Sequence, residues 1–264
     1  MIAAMEQEFV TTILTFKGLV ILIWMAVFFV VERVAPASPN PIPVNQRLYR
    51  VGRNLLLFLL NAVASRLFVI PVTGLAAFYS LTWRPDWWGG VPGLLIDLLL
   101  LDFFIYWWHR ANHVFPLLWR FHQVHHYDEF LDTTSAVRFH IGEVMLSAVF
   151  RGVYIWLLGI PLVSVLVFEG LVLLSSIFQH SNIRLSPRSD RALAYVIVTP
   201  GWHWMHHHAI REDTDSNYAN TLTIWDRLFG SKCGHKRRLT MPIGLENVTR
   251  DLSLARLLAR PFRG

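Results

Sequence analysis

Five long apolar runs divide the chain, at residues 9–31, 55–79, 91–108, 141–158 and 161–178. Each approaches the roughly 20 residues that an α-helix needs to cross a bilayer, so the pattern predicts an all-α integral membrane protein with about five membrane-associated helices. Arg66 and Pro71 interrupt the second run, which predicts a kinked or partly interfacial helix there. Leu158, Gly159, Ile160 and Pro161 leave room only for a tight turn between the last two runs. Residues 35–43 hold four prolines and read as an extended connector. With no internal repeat or low-complexity stretch, residues 1–264 are expected to form a single membrane-embedded domain.

The polar segments between the runs set an expected orientation. Arg33, Arg47, Arg50 and Arg53 lie in segment 32–53, and the residues after His180 carry 13 Lys/Arg against 7 Asp/Glu. Between the second and third runs stand only Arg84 and Asp86. The positive-inside rule then puts the amino terminus outside and the tail inside. Five spans keep this consistent, because the third ends inside and the last two form a hairpin that returns to the same side. Composition agrees: 54% hydrophobic residues, 16% charged residues and a mean hydropathy of +0.41 lie outside the range of an ordinary soluble domain. The opening residues are acidic and no small-residue cleavage site follows, so the first run is expected to stay as a span. The lone Cys233 cannot form an internal disulfide and is given no redox role. Leucines and arginines interleave over residues 252–263, which are expected to lie along the membrane surface.

Candidate chemistry comes from histidine. Eight of the twelve fall in three clusters: His109 and His113; His122, His125 and His126; and His203, His206 and His207. Imidazoles three or four residues apart on a helix share a face, as a metal site requires. His109 and His113 continue the third span, Pro116 then breaks the helix, and residues 117–127 restart one. Thr199 and Pro200 make a helix start for the third cluster, and His180 at the end of the fifth span is a ninth candidate. All nine are expected on the inner side, as a histidine-rich helical cap. An interfacial belt with Trp107, Trp108, Trp119, Trp202 and Trp204 explains any one cluster equally well, but not three together. Asp102, two turns before His109, is expected to accept the outer N–H of a ligating imidazole, while His140 and Glu143 either line the site or anchor the fourth span. His208 and His235 read as solvated, and Asp97 has no evident partner. Arg151 and Glu169 are equidistant from the hairpin turn and are expected to pair within the membrane.

The order of these motifs resembles the fatty acid hydroxylase superfamily, which contains sterol desaturases, sterol methyl oxidases, fatty acid 2-hydroxylases and alkylglycerol monooxygenase. Residues 102–113 (DFFIYWWHRANH), 138–143 (RFHIGE) and 224–230 (IWDRLFG) are similar to stretches of its bacterial members, and the likeness covers about residues 94–231. Ile141 stands where many relatives have proline, and Ala219 where many have glycine. The resemblance implies a bacterial inner-membrane oxidoreductase with two histidine-held metal ions, usually taken as iron, that use O2 to hydroxylate or desaturate a lipid C–H bond.

Nine imidazoles are too many for one ion and suit two, although zinc competes for such ligands. No flavin, nicotinamide or iron–sulfur motif is present, so an external electron donor, a separate redox partner protein, is expected. The lipid substrate sits in the bilayer, no nucleic-acid partner is expected, and the sequence leaves the oligomeric state open. Two competitors remain: a membrane metallohydrolase with a histidine-ligated di-zinc site, and a metal transporter, which the gathering of all clusters on one side disfavours.

Overall fold

A computed structural model describes residues 2–248 and 250–263, with side chains from residue 11 onward except residues 13 and 14. Twelve α-helices form among the described residues and no strand does, only isolated bridges. Five segments are long and apolar enough to cross a membrane: Thr15–Val34, Val44–Phe78, Gly90–Val114, Ile141–Leu158 and Leu162–His180. The protein is therefore an all-helical integral membrane protein, as the apolar runs predict. The first span belongs to α1 (Ile2–Val34).

The second span takes its interruption as a π-helical turn. It runs for 35 residues through α2 (Val44–Ala64), a π-helical turn at Ser65–Val69 and α3 (Ile70–Phe78). Pro71 has no N–H to give and its ring collides with the carbonyl four residues back. A local widening to the i→i+5 pattern removes that collision without ending the helix. Residues 35–43 form the expected extended connector, and Ala37 N donates to the Asn182 carbonyl at 2.9 Å.

The remaining spans are α4 (Gly90–Val114), α6 (Ile141–Leu158) and α7 (Leu162–His180). Gly159 makes the tight turn between α6 and α7 in the left-handed region, φ 63°. A Cβ there would stand 2.6 Å from the Leu81 carbonyl oxygen, so the turn needs glycine on steric grounds as well. At this hairpin end Asp97 is not solitary: it accepts from Arg84 at 2.7 Å, Trp88 Nε1 at 3.1 Å and Ser164 Oγ at 2.7 Å. Leu101, Ile155, Ile160 and Val165 are fully buried between α4, α6 and α7.

Arg151 and Glu169 pair across the hairpin at 3.2 Å, and Lys17 of α1 reaches the other carboxylate oxygen at 2.9 Å. One anion thus joins three spans. Glu169→Ala leaves two cations unpaired and is expected to cost about 3 kcal/mol or more, while Arg151→Ala leaves Glu169 paired to Lys17 and costs less. Thermal melts in detergent check the order; equal losses from the two variants would mean that Lys17 does not share the carboxylate.

The helical cap gathers at the opposite end of the bundle. It comprises α5 (Pro116–His126), a 3-10 turn at Thr133–Val137, α8 (Pro187–Leu193), α9 (Pro200–His206), α10 (Arg211–Thr214), α11 (Ile224–Leu228) and α12 (Leu254–Ala259). The tail does not simply lie along a surface. Leu257 is fully buried against a cluster with Leu57, Val124 and Tyr127, so α12 folds back onto α2 and α5.

Candidate metal centre

Four helix ends bring the nine histidines together. His109 and His113 sit one turn apart at the end of α4, and Phe115 turns extended before Pro116 opens α5 with its three histidines. His180 is the last residue of α7. Thr199 caps α9 by accepting from Trp202 N at 3.3 Å, which aims His203 and His206 inward, with His207 just past the end of the helix. The result is two sets of buried rings. His109, His113, His122, His126 and His206 form one, and His125, His180, His203 and His207 the other, with the donor atoms of each set within 4.8 Å of one another. The sets adjoin, since the His126 and His207 rings stack at 4.3 Å.

Outer partners fix which nitrogen carries the proton. Nδ1 of His109 donates to the Tyr218 carbonyl at 2.8 Å, His125 to that of Arg138 at 3.0 Å, His180 to that of Ser176 at 2.7 Å and His206 to that of Ser216 at 2.7 Å. His122 Nδ1 meets Glu143 Oε1 at 2.7 Å and His113 Nδ1 meets Asp215 Oδ1 at 3.2 Å. A carbonyl can only accept, so these rings carry hydrogen on Nδ1 and turn an Nε2 lone pair into the cage.

That tautomer assignment has a consequence for the four-histidine set. His125 Nε2 and His180 Nε2 stand 3.1 Å apart with no hydrogen between them, and His203 Nε2 lies 3.0 Å from His180 Nε2 and 3.1 Å from His207 Nε2. Facing lone pairs repel unless an electrophile lies between them. Nitrogens ~2.1 Å from a shared ion would stand about this far apart. In the other set, Nε2 of His113, His122 and His206 and both nitrogens of His126 are buried without any hydrogen-bond partner. The donor set therefore fits two metal ions.

Protons are poor substitutes for those ions. Burial first, then neighbouring imidazoles, push His125, His126, His203 and His207 well below the usual histidine range, and burial takes His206 down to about 3 despite its bond to the Ser216 carbonyl. Metal-stripped protein is therefore expected to lose stability as pH falls below ~6.5, where the unfolded chain binds protons that the folded cage refuses. Each such histidine contributes up to about 1.4 kcal/mol per pH unit, through the window down to its folded value. Thermal melts of chelator-treated protein from pH ~7.5 to ~5.5 test this, and a flat profile would mean that the rings charge in place.

The expected role of Asp102 needs correction, and for His140 the structure selects the second of its two readings, an anchor of the fourth span. Asp102 bonds no imidazole: its Oδ2 accepts from Leu222 N at 3.1 Å and Trp225 Nε1 at 2.8 Å. Seven residues along a helix is about 10 Å of rise, too far for a carboxylate to reach the ring of His109. It holds the loop around Tyr218 against α4 instead. His140 does not line the cage. Its Nδ1 caps α6 by accepting from Gly142 N at 2.9 Å, and its Nε2 donates to the Leu258 carbonyl at 3.1 Å. Glu143 does stand beside the cage, holding His122 and, at 3.4 Å, Asn112 Nδ2.

His235 is exposed yet bonds Asp213, and His208 bonds the same carboxylate. Most of the outer partners are invisible in the sequence, because a backbone carbonyl leaves no trace in residue identity. Asp215, a carboxylate eight residues after His207, was the one readable signal.

Comparison with known proteins finds relatives with named lipid-oxidising activities. An ornithine lipid hydroxylase, OlsE, of Rhizobium tropici is 29% identical over 188 residues, 70% of this chain and 55% of that protein. Alkylglycerol monooxygenase of Xenopus tropicalis is 32% identical over 165 residues, 60% of this chain and 33% of that protein. Cholesterol 25-hydroxylase of Rattus norvegicus is 28% identical over 151 residues, 55% of this chain and 49% of that protein. The chain thus spans between a third and about half of the length of these relatives. No solved structure matches the chain significantly. The family model described as fatty acid hydroxylase matches residues 94–231, from near the start of α4 to just past α11 and so across all nine histidines, and the chain belongs to that family.

Proposed function

We propose that this chain is a lipid hydroxylase that uses O2 at two histidine-held metal ions, iron in the working enzyme, to attack an aliphatic C–H bond. The observation that carries the metal is the face-to-face pair of unprotonated nitrogens on His125 and His180. His109, His113, His122, His126 and His206 would hold one ion, and His125, His180, His203 and His207 the other. Such ions supply the oxidising power that no side chain has. The protein's part is to fix the tautomers of six of the nine rings, through four carbonyls, Glu143 and Asp215, and to keep all nine buried.

A membrane-side cleft supports a lipid substrate. It measures about 490 Å³ and is lined by Phe58, Asn61, Ser65, Arg66, Ile70 and Val144, at the π-helical turn. Asn61 Nδ2 donates to the Phe139 carbonyl at 2.8 Å, and the Phe139 ring stacks on His125 at 4.5 Å and 8°. Phe139 thus links Asn61 of this cleft to His125 of the four-histidine set, which suits a chain approaching from the bilayer. On the cap side, a cleft of about 250 Å³ is lined by Trp119, Tyr127, Arg211 and Arg260. Trp119 packs on His113 at 4.9 Å and on His126 at 5.4 Å, a short path for electrons from a separate donor protein. The cage end also carries the arginines of segment 32–53 and the basic tail, so we place it on the cytoplasmic face of a bacterial inner membrane.

The test compares lipids of cells expressing the wild type, His122→Ala and His206→Ala under isotope-labelled O2. A product that carries the label in the wild type alone is expected. An unlabelled product that also forms without air would replace this reading with a zinc hydrolase, and a new double bond without label would make the enzyme a desaturase.

A further inference from the structure

Outside the cage, the described residues assemble one more set of donor side chains. Asp213, Cys233 and His235 place an oxygen, a sulfur and a nitrogen within 4.8 Å of one another. Asp213 belongs to α10, whereas Cys233 and His235 lie in the loop after α11, so the set ties two separate segments together. Cys233 Sγ is 3.3 Å from Asp213 Oδ1, and His235 Nδ1 is 2.7 Å from the same oxygen. The backbone N–H of His235 points at Sγ from 3.3 Å. His208 Nδ1 lies 2.6 Å from the other carboxylate oxygen, Oδ2. Asp213 is buried, Cys233 half-buried and His235 exposed, so the set opens to solvent on one side.

We propose that Asp213, Cys233 and His235 form a third metal site, separate from the cage, for a divalent ion that favours mixed sulfur, nitrogen and oxygen ligands, zinc foremost. Three protein ligands and a water complete the tetrahedral coordination that zinc takes in open sites. His208 holds the carboxylate oxygen that faces away from the ion, as outer partners of ligating carboxylates do. A bare hydrogen-bond cluster, with Asp213 Oδ1 accepting from both the thiol and the imidazole, uses the same atoms, and the metal reading differs in that all three side chains would turn a donor atom toward one ion. An amide N–H aimed at sulfur suits a thiolate better than a thiol, and metal coordination makes the thiolate.

The site has a structural consequence for the cage. Between Asp213 and Tyr218 lie the Asp215 carboxylate that faces His113 and the carbonyls of Ser216 and Tyr218 that take His206 and His109. The same segment is laced to the loop after α11 by Cys233 N to Asn217 Oδ1 and Asn217 N to the Ser231 carbonyl, both 2.7 Å. An ion at Asp213, Cys233 and His235 bolts this lacing shut, and with it the acceptors of three of the five rings in the larger set.

Cys233 is the chain's single cysteine, which makes the test specific. Cobalt(II) added to the purified full-length protein is expected to raise a near-ultraviolet thiolate-to-cobalt absorption band, lost in Cys233→Ser and weakened at least ~10-fold in apparent affinity in His235→Ala and Asp213→Asn. Elemental analysis of zinc-grown protein should show Cys233→Ser carrying about one ion per chain fewer than the wild type. Absence of the band, a band unchanged in His235→Ala and Asp213→Asn, or equal metal content in the wild type and Cys233→Ser overturns the site. The thiolate-to-cobalt band belongs to this site alone, because the cage has no sulfur, and so separates loss of this ion from any loosening of the cage.

Discussion

Alanine at His180 is expected to release one metal ion per chain and to bring product formation to background, while alanine at His113 keeps more of its metal yet also loses turnover. The reason is the uneven division of the rings. His180 belongs to a set of four, and removing it leaves three imidazoles in a site with no spare ligand. His113 belongs to a set of five, so its loss leaves four, enough to hold an ion in an altered arrangement. Both losses of activity should exceed the ~10- to 100-fold typical of losing an outer partner, and Glu143→Ala, which frees the Nδ1 of His122 and the Asn112 amide but removes no ligand, should fall within that range. Metal content relative to the wild type, product turnover and helix content by circular dichroism separate the cases. Should His113→Ala lose more metal than His180→Ala, the division into five and four is wrong. Wild-type turnover in either variant would remove the ligand assignment altogether.

The histidines were readable because a metal site needs chemistry that few side chains carry, and because helical spacing turns position into direction. Residues such as His122, His125 and His126 declare both in a single stretch of sequence. The spans were readable for a similar reason, since an apolar run of the right length has one low-energy destination. What the sequence hid were partners distant along the chain or lacking a side-chain signature. Asp102 looked like a neighbour of His109 by periodicity, but the true partner is a carbonyl on a loop more than a hundred residues away. Pro71 marks an interruption in the sequence but does not reveal that a π-helical turn just before it absorbs the missing donor. Asp97 looked solitary because Arg84 comes from a loop that sequence alone does not fold back. Arg50 and Arg53 were read only as topology signals, though both are buried.

Arg50→Met is expected to destabilise the protein by about 3–5 kcal/mol at neutral pH, a fall in Tm of roughly 10 °C for a chain of this size. Arg50 lies in α2 and points into the cap, where its guanidinium meets Asp128 at 2.6 and 2.7 Å, Asp132 at 2.7 Å and Ser135 Oγ at 2.9 Å. All are buried, so methionine would strand two carboxylates with no water to replace the lost partner. The damage reaches the cage through Arg138, which bonds Asn54 at 2.9 Å and Asp251 at 2.7 and 2.8 Å and whose carbonyl takes the proton of His125.

The same network gives the variant a pH signature. Burial alone would raise Asp128, but Arg50 and Arg138 outweigh it and hold the carboxyl at about 2, below its ordinary 3.8. In the wild type, that stabilisation is complete above ~3.8 and is lost as pH falls from there toward about 2. In Arg50→Met the strongest counter-charge is gone and burial dominates, so Asp128 moves upward and can shed its unpaired charge by taking a proton. The gap between the two melting curves should therefore be widest near neutral pH and narrow as the pH is lowered toward ~4. Arg47 provides the comparison, since its side chain bonds only the Ile42 and Asn40 carbonyls, and Arg47→Met should lower Tm far less. A Tm loss in Arg50→Met no larger than in Arg47→Met, or a gap that widens on acidification, would show that the buried arginine is not what holds the cap to the spans.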